Sequence, residues 1–312
     1  MASAVFGALV LVTLVWWAVV FTSRQTRQML WPRYRFRQLP WRIRDLLLVW
    51  LLFLLALAVS TVVSPLSTAK EGARVYQNEP QRHGLDSPGR DEDETTQGQH
   101  WVLVLIQSDR SLKTVLLCLL GTGILGPIAE EILFRGFLQG WSHRVEWEHR
   151  RTRLNIAPIR RQLPLGAASV ALVAVLFATV HYRPDEPSPS VDVIRVILIR
   201  QTLAYSLFLP VALAIVALKD KPRGLRLIYD RRWFFCDITL GAGWFLAWIV
   251  PVYFVQGALK TILPWKAMAD PCTMIVIGTI LGTLFARTGR LAASIVFHVL
   301  LNITSLSLAF LM

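Results

Sequence analysis

The chain has 312 residues, of which 54% are hydrophobic and only 17% are charged. Soluble proteins average roughly 45–50% apolar and about 25% charged residues, so this composition excludes an ordinary soluble domain. The formal net charge is +13. It does not indicate nucleic-acid binding, because the basic residues stand in short blocks between apolar runs, as in cytoplasmic loops. The composition predicts an all-α, polytopic membrane protein in contact with lipid.

Eight apolar runs predict membrane-spanning helices, because about 20 apolar residues in a helix cross the hydrocarbon core. In chain order they are 5–21, 46–63, 112–141, 165–182, 193–218, 238–255, 268–286 and 291–312. The third run contains Gly126-Pro127, and the seventh begins beside Asp270-Pro271, which makes it the weakest. The sequence therefore predicts a transmembrane helical bundle of about eight spans, with counts of seven or nine left open.

Basic residues fill every second connection, after the first, third, fifth and seventh spans. The positive-inside rule places those four connections in the cytoplasm. The connection after the second span instead carries an acidic run, residues 91–94, and belongs outside. Both termini are then predicted on the non-cytoplasmic side. The first run lacks a charged leading segment and a cleavage site, so we predict a retained anchor and not a signal peptide.

The three cysteines show no pairing or metal-ligand spacing. Cys118, Cys236 and Cys272 are far apart in the chain and form no CxxC motif. We therefore interpret them as small buried hydrophobic side chains.

Five ionisable side chains and one asparagine stand out inside the third, fourth and last predicted spans. An ionisable group there costs about 2.5–3.5 kcal/mol on insertion scales and usually marks a functional site. The six are Glu130, Glu131, Arg135, His181, His298 and Asn302. Taken one at a time, each is as well explained by a structural role, but the set together favours a functional site.

Helical spacing sorts these residues. Glu131 and Arg135 stand at i and i+4, which predicts an ion pair on one helix face. Glu130 is turned about 100° away and is left without that partner. His298 and Asn302 are also i and i+4, so both point into the same space.

The residues form three motifs in chain order, each in a predicted membrane helix. They are EExxxR at Glu130, Glu131 and Arg135, FxxxH at Phe177 and His181, and HxxxN at His298 and Asn302. In this the chain resembles the CPBP family of intramembrane peptidases, which includes the type II CAAX prenyl endopeptidases. The long separation between the second and third motifs departs from that resemblance and leaves the helix count of the core open.

The resemblance covers roughly residues 112–308 and divides the chain into three parts. Residues 1–66 are predicted as an N-terminal two-helix membrane hairpin. Residues 67–111 are predicted as a polar, partly disordered, non-cytoplasmic loop. Residues 112–312 are predicted as the peptidase-like core.

The resemblance implies an endopeptidase that hydrolyses a peptide bond of a membrane-associated protein, including prenylated CAAX-type proteins. It implies that Glu130 activates a water that His181 positions, and that His298 and Asn302 donate to the oxyanion. The other glutamate and the arginine of the first motif would support them. Amide hydrolysis needs such a base and such donors, together with a proton for the leaving nitrogen.

Two alternatives stay open at the level of the sequence. Glu130, His181 and His298 can also bind zinc as a His₂Glu set, although HExxH is absent and Asn302 is a poor zinc ligand. We favour a site without a cofactor and keep zinc as the alternative. A catalytically silent scaffold or a small-solute transporter would also account for buried charges. A transporter should show paired halves, and the sequence has no internal repeat.

Overall fold

The computed structural model describes residues 2–31, 41–63, 101–152, 166–182, 190–219, 234–262 and 269–311, and every regular element among them is a helix. The predicted all-α fold is confirmed. We number the helices α1 (Ala2–Thr22), α2 (Arg24–Leu30), α3 (Ile43–Val63), α4 (Trp101–Ser108), α5 (described below), α6 (Ala167–His181), α7 (Val191–Lys219), α8 (Phe234–Ile262), α9 (Ala269–Thr288) and α10 (Ala292–Leu311).

Helix α5 is one long run built from consecutive pieces of different helical type. The pieces are Leu112–Cys118, Leu119–Leu125, Gly126–Glu130, Glu131–Gln139 and Gly140–Thr152. The second and fourth are π-helical, a wide turn that is rare and occurs frequently at functional sites. The two glutamates of the first motif stand where the α-helical third piece passes into the second of these wide turns.

Within the described parts of the chain, seven helices are long and apolar enough to cross a membrane. They are α1, α3, α5, α7, α8, α9 and α10, so the chain is a multi-pass integral membrane protein. The predicted fourth span is shorter than expected. Helix α6 has 15 residues and reaches only about 22 Å, less than the roughly 30 Å of the hydrocarbon core. It begins directly after Gly166, whose φ of 91° is readily available only to glycine.

Helix α4 lies in the segment that the sequence analysis treated as a polar loop. Its six apolar residues are too few for a span, so the pattern did not reveal it. Val102, Leu105 and Ile106 are buried against Cys118 and neighbouring apolar side chains of α7. The acidic part of that loop lies outside the described residues.

Asp109, just after α4, ties this helix to α5 and α7. Its carboxylate accepts hydrogen bonds from Thr114 Oγ1 at 2.5 Å and from the Ser111 amide at 2.9 Å, and it pairs with Arg195 at 2.9 Å. The bonds from Thr114 and Ser111 lower the pKa of Asp109 well below its usual range. The carboxylate therefore stays ionised over the physiological pH range, and its stabilising contacts are lost only as the pH falls into the acid range.

Small residues allow close packing within the bundle. A Cβ at Gly278 of α9 would lie 2.9 Å from the Ala174 Cα of α6, and one at Gly241 of α8 would lie 2.4 Å from the Ala293 carbonyl oxygen of α10. These are the small-residue contacts that let helix backbones approach in a membrane. They bring α6, which carries His181, onto α9, and α10, which carries His298, onto α8.

The N-terminal helices are held on the core by tryptophan side chains. The indole N–H of Trp16 donates to the Gly243 carbonyl at 2.8 Å, and that of Trp244 donates to the Leu30 carbonyl at 2.7 Å. Trp31 stacks on Trp244 with ring centroids 5.4 Å apart. Helix α1 packs on α8, whereas α3 packs on α7 and α5. Helices α1 to α4 therefore pack on the helices of the core, and the predicted domain boundaries stay a prediction.

Ion pairs join helix ends that the alternation of basic loops places on one side. Asp45 at the start of α3 pairs with Lys219 at the end of α7. Asp237 at the start of α8 accepts two hydrogen bonds from Arg290, which lies between α9 and α10, at 2.6 and 2.7 Å. Both pairs agree with the prediction that the connections after the first, fifth and seventh spans lie on the same side of the membrane. Which of the two sides faces the cytoplasm stays a prediction.

The cysteines differ from the expectation in one respect. Cys118 is buried, as predicted, but Cys236 is exposed and Cys272 is half-buried. The prediction that all three are buried was therefore wrong. Cys236 stands in the first turn of α8, where no described element covers it.

Candidate active site

The two glutamates of the first motif lie in different environments although they are neighbours. The Glu131 side chain is 0% exposed, and its Oε1 lies 3.4 Å from an Nη1 of Arg135, which is also 0% exposed. The predicted ion pair is confirmed. The Glu130 side chain is 20% exposed and points toward two histidines. The turn of about 100° between consecutive helical residues accounts for this separation.

Glu130 brings the second and third motifs together. Its Oε2 lies 3.5 Å from Nε2 of His181 on α6 and 3.8 Å from Nε2 of His298 on α10. Residues from three helices that are far apart in the chain thus converge on one carboxylate oxygen. His181 is 28% exposed at its side chain, so this cluster is reachable, unlike the ion pair behind it.

The His181 ring is oriented by its own helix. Its Nδ1 lies 2.7 Å from the carbonyl oxygen of Phe177, one turn earlier. A carbonyl can only accept, so Nδ1 donates to it and Nε2 is the nitrogen that faces Glu130. The Phe177 ring packs against the imidazole with centroids 4.2 Å apart. This contact explains why phenylalanine stands four residues before the histidine.

His298 lies between the two glutamates. Its Nδ1 is 3.1 Å from Glu131 Oε1, while its Nε2 faces Glu130. Glu131 therefore has two partners, one on its own helix and one on α10. The edge of His298 also contacts Phe177, with centroids 5.9 Å apart and nearly perpendicular. One phenylalanine thus positions both histidines.

Arg135 also contacts Phe177 of the second motif and the backbone of α9, which the sequence did not single out. Its guanidinium lies 4.5 Å from the centre of the Phe177 ring, a cation–π contact, and an Nη2 points to the Gly278 carbonyl at 3.5 Å. One turn later, Gln139 Nε2 donates to the Gly282 carbonyl at 2.9 Å. Gln139 is buried and four residues after Arg135, so helical spacing was the signal that could have found it.

Asn302 shares the face of His298, as predicted, but its observed hydrogen bond leads elsewhere. Its Nδ2 donates to the backbone carbonyl of Thr122 at 2.8 Å. Thr122 belongs to the first π-helical piece of α5. The five other predicted site residues form one connected set, and Asn302 joins it through α5 and α10.

Glu130, His181 and His298 are the zinc ligand set that the sequence allows. Among the described residues, however, no group of three His, Cys, Asp or Glu side chains has the arrangement to hold a metal ion. Glu131 and the Phe177 carbonyl engage the other ring nitrogens, which leaves both Nε2 atoms facing Glu130. Zinc stays the alternative that a chelator test decides.

Comparison with known proteins gives a family. A family profile described as type II CAAX prenyl endopeptidase Rce1-like matches residues 112–222 and 223–304, more than half of the chain. The matched residues include all six predicted site residues. No curated protein and no solved structure matches this chain. The chain belongs to the Rce1-like type II CAAX prenyl endopeptidase family, a family of CPBP intramembrane peptidases.

Proposed function

We propose that this protein is an active intramembrane endopeptidase that hydrolyses a peptide bond of a membrane-associated protein with a water activated by Glu130. One observation carries the proposal. The Glu130 carboxylate is partly exposed and lies within 4 Å of Nε2 atoms of two histidines, while a second, fully buried carboxylate supports one of them. A scaffold does not require a reachable carboxylate between two imidazoles.

In the first step, a water lies between Glu130 and His181. Their polar atoms are 3.5 Å apart, so a water oxygen about 2.8 Å from each fits beside the pair. His181 Nε2 accepts one water hydrogen and orients the oxygen, and Glu130 takes the other proton. The water oxygen attacks the scissile carbonyl carbon, and the π electrons of the C=O bond move onto the carbonyl oxygen, which becomes the oxyanion.

The oxyanion then needs hydrogen-bond donors. His298 Nε2 and the second N–H of the Asn302 amide supply them, since the first N–H is bound to Thr122. For this role the His298 ring carries protons on both nitrogens, because Nδ1–H donates to Glu131. When the intermediate collapses, the carbon–nitrogen bond breaks and Glu130 returns its proton to the leaving amine.

Glu131 and Arg135 act through other groups. Glu131 holds the His298 ring at Nδ1, and Arg135 balances the buried negative charge of Glu131. Neither is exposed, so neither meets the substrate. We propose them as positioning residues.

The substrate is a protein or peptide at the membrane, and a prenylated CAAX-type carboxyl terminus is the class that the family suggests. We propose that the short α6 crosses the membrane as well as the seven longer helices. Eight spans then place both termini on the non-cytoplasmic side and the basic connections in the cytoplasm.

Cleavage in proteoliposomes tests the proposal. The purified protein is reconstituted and given a farnesylated CAAX peptide or the same peptide without its prenyl group, in water enriched in ¹⁸O. We expect a shortened product with one ¹⁸O atom in its new carboxyl terminus, identified by mass spectrometry. Absence of product from both peptides, with the reconstituted protein folded, would favour the scaffold or the transporter and contradict the proposal.

The same assay tests the zinc alternative. We expect EDTA or phenanthroline to leave the cleavage rate unchanged, because no step of the proposed reaction passes through a metal. Loss of activity with a chelator and its recovery with added zinc would instead make Glu130, His181 and His298 metal ligands.

A further inference from the structure

The hydrogen bond of Asn302 ends on a main-chain oxygen inside a membrane helix. Asn302 Nδ2 donates to the Thr122 carbonyl at 2.8 Å, and both residues are half-buried. In a regular helix such a carbonyl accepts from an amide of its own helix. A side-chain donor from another helix matters most where that amide is missing, because the carbonyl then has no partner within its own helix.

Proline removes that amide. The N–H of Gly126 donates to the Gly121 carbonyl five residues earlier, which is the π-helical register. The next amide in this register would belong to Pro127, and its acceptor would be the Thr122 carbonyl. Proline has no N–H, so the bond cannot form. An unsatisfied carbonyl is costly within a membrane, and a neighbouring side chain commonly satisfies it.

The missing hydrogen bond is close to the proposed chemistry. Pro127 precedes Glu130 by less than one helical turn, so a change in the path of α5 at Pro127 would move the Glu130 carboxylate. A Cβ at Gly123 would meet Ile303 and Leu306 of α10 at 3.6 and 3.4 Å, which shows how closely α10 lies against the wide turn.

Two hydrogen bonds therefore fix α10 against α5. Asn302 binds Thr122, which precedes Pro127 in α5. His298, one turn away on α10, binds Glu131, which follows Pro127. The first bond sets the register in which the second can form. Loss of the first would let α5 and α10 slide or rotate and would carry His298 away from both glutamates.

We propose that Asn302 is a positioning residue that replaces the amide missing at Pro127 and fixes the register of α5 against α10. This role is additional to its proposed contact with the oxyanion, and only its consequence for catalysis rests on the proposed function.

A double-mutant cycle tests the replacement of the amide. Asn302→Ala should lower the thermal unfolding midpoint in detergent by about 2–4 °C. Pro127→Ala restores an N–H that can reach the Thr122 carbonyl. In that background the loss caused by Asn302→Ala should shrink to less than half. An equal loss in both backgrounds would overturn the proposal.

Ser305→Ala is the matched control on the same helix. Ser305 is also half-buried, and its hydroxyl pairs with Tyr253 of α8 at 2.8 Å and not with α5. Its effect should be the same with proline or alanine at position 127. Asn302→Asp, which cannot donate from that atom, gives a second variant of nearly unchanged size if Asn302→Ala does not fold.

A spectroscopic measurement tests the register without any substrate. In protein labelled with ¹⁵N-histidine, Asn302→Ala should shift the ring signals of His298, and the double variant should bring them back toward the wild-type positions. Unchanged His298 signals in Asn302→Ala would overturn the positioning role. If the double variant recovers stability and signals but not cleavage, the proposed oxyanion contact is supported. If it recovers cleavage as well, the proposed hydrogen bond from Asn302 to the oxyanion is contradicted and the positioning role is supported.

Discussion

Exposure separates the roles of the two adjacent glutamates. Glu131 is enclosed by Arg135 and His298, whereas Glu130 keeps a fifth of its side chain exposed beside two imidazole nitrogens. A carboxylate that a substrate can reach is suited to proton transfer, and an enclosed one is suited to holding its neighbours. Helical spacing alone predicted this division, because consecutive residues cannot share one face.

At Glu131 we expect an effect on stability before any effect on chemistry. Glu131→Gln keeps the shape but leaves the Arg135 charge buried without its counter-ion. Breaking a buried pair in this way costs about 3–5 kcal/mol, so expression and the thermal unfolding midpoint should fall. Glu148→Gln, on the same helix but exposed, removes an equivalent charge and should leave both unchanged. Unchanged stability of Glu131→Gln would show that the buried pair does not hold this region.

Single residues show where prediction from the sequence ends. The pair Glu131–Arg135 is local, so a spacing of four predicts it. The bonds from Gln139 to Gly282 and from Asn302 to Thr122 join residues distant in sequence and use backbone carbonyls as acceptors. A pattern of residues in α10 does not show that a backbone carbonyl of α5 lacks a donor and will accept from Asn302. Those contacts required the packing of the helices.

At the scale of the helices, the position of α6 matters most for the site, because this short helix carries both Phe177 and His181. It lies on α9 at the contact between Ala174 and Gly278, whose carbonyl Arg135 also approaches. The sequence predicted α6 as a full span because apolar residues continue past its ends. The helix is shorter, and its last residue supplies the imidazole at the site.

Gly278→Ala tests this contact. The new Cβ would lie 2.9 Å from the Ala174 Cα, a backbone atom that cannot move alone, so α6 and α9 must separate. Such overpacking costs typically about 1–3 kcal/mol, and the displaced His181 should reduce cleavage. Gly257→Ala on α8 is the control, because nothing lies within 4 Å of its added Cβ. Equal stability and activity of the two variants would contradict the packing described for α6.

At the scale of the whole molecule, residues outside the matched family region are part of the same bundle. Trp50 of α3 meets Phe134 edge-on at 5.9 Å, and Phe134 meets Phe177 at 5.3 Å, so a row of aromatic rings runs from the N-terminal part to the histidines. The alternation of basic loops predicted only which helix ends lie on the same side, and the pairs Asp45–Lys219 and Asp237–Arg290 agree with it. It could not predict that α1 and α3 would pack on different core helices, because lipid-facing and helix-facing leucines look alike in sequence.

Cysteine labelling tests the orientation of the bundle. In a background without Cys236 and Cys272, Asp192→Cys at the start of α7 should react with an impermeant thiol reagent added to intact cells. Glu148→Cys should react only after permeabilisation. Both positions are exposed, so each cysteine should react once the reagent reaches its side of the membrane. The reverse pattern would place the termini in the cytoplasm, against the positive-inside rule.

The most direct test of the account is the cleavage rate of Glu130→Gln in proteoliposomes, compared with wild type and with Glu148→Gln. The glutamine keeps the size and hydrogen-bonding capacity of Glu130 but cannot take a proton from water. The rate should fall by about 10²–10⁴-fold or more while the protein inserts and folds normally, and Glu148→Gln should stay within about twofold of wild type. A Glu130→Gln protein that cleaves at a near-native rate would contradict the assignment of Glu130 as the base.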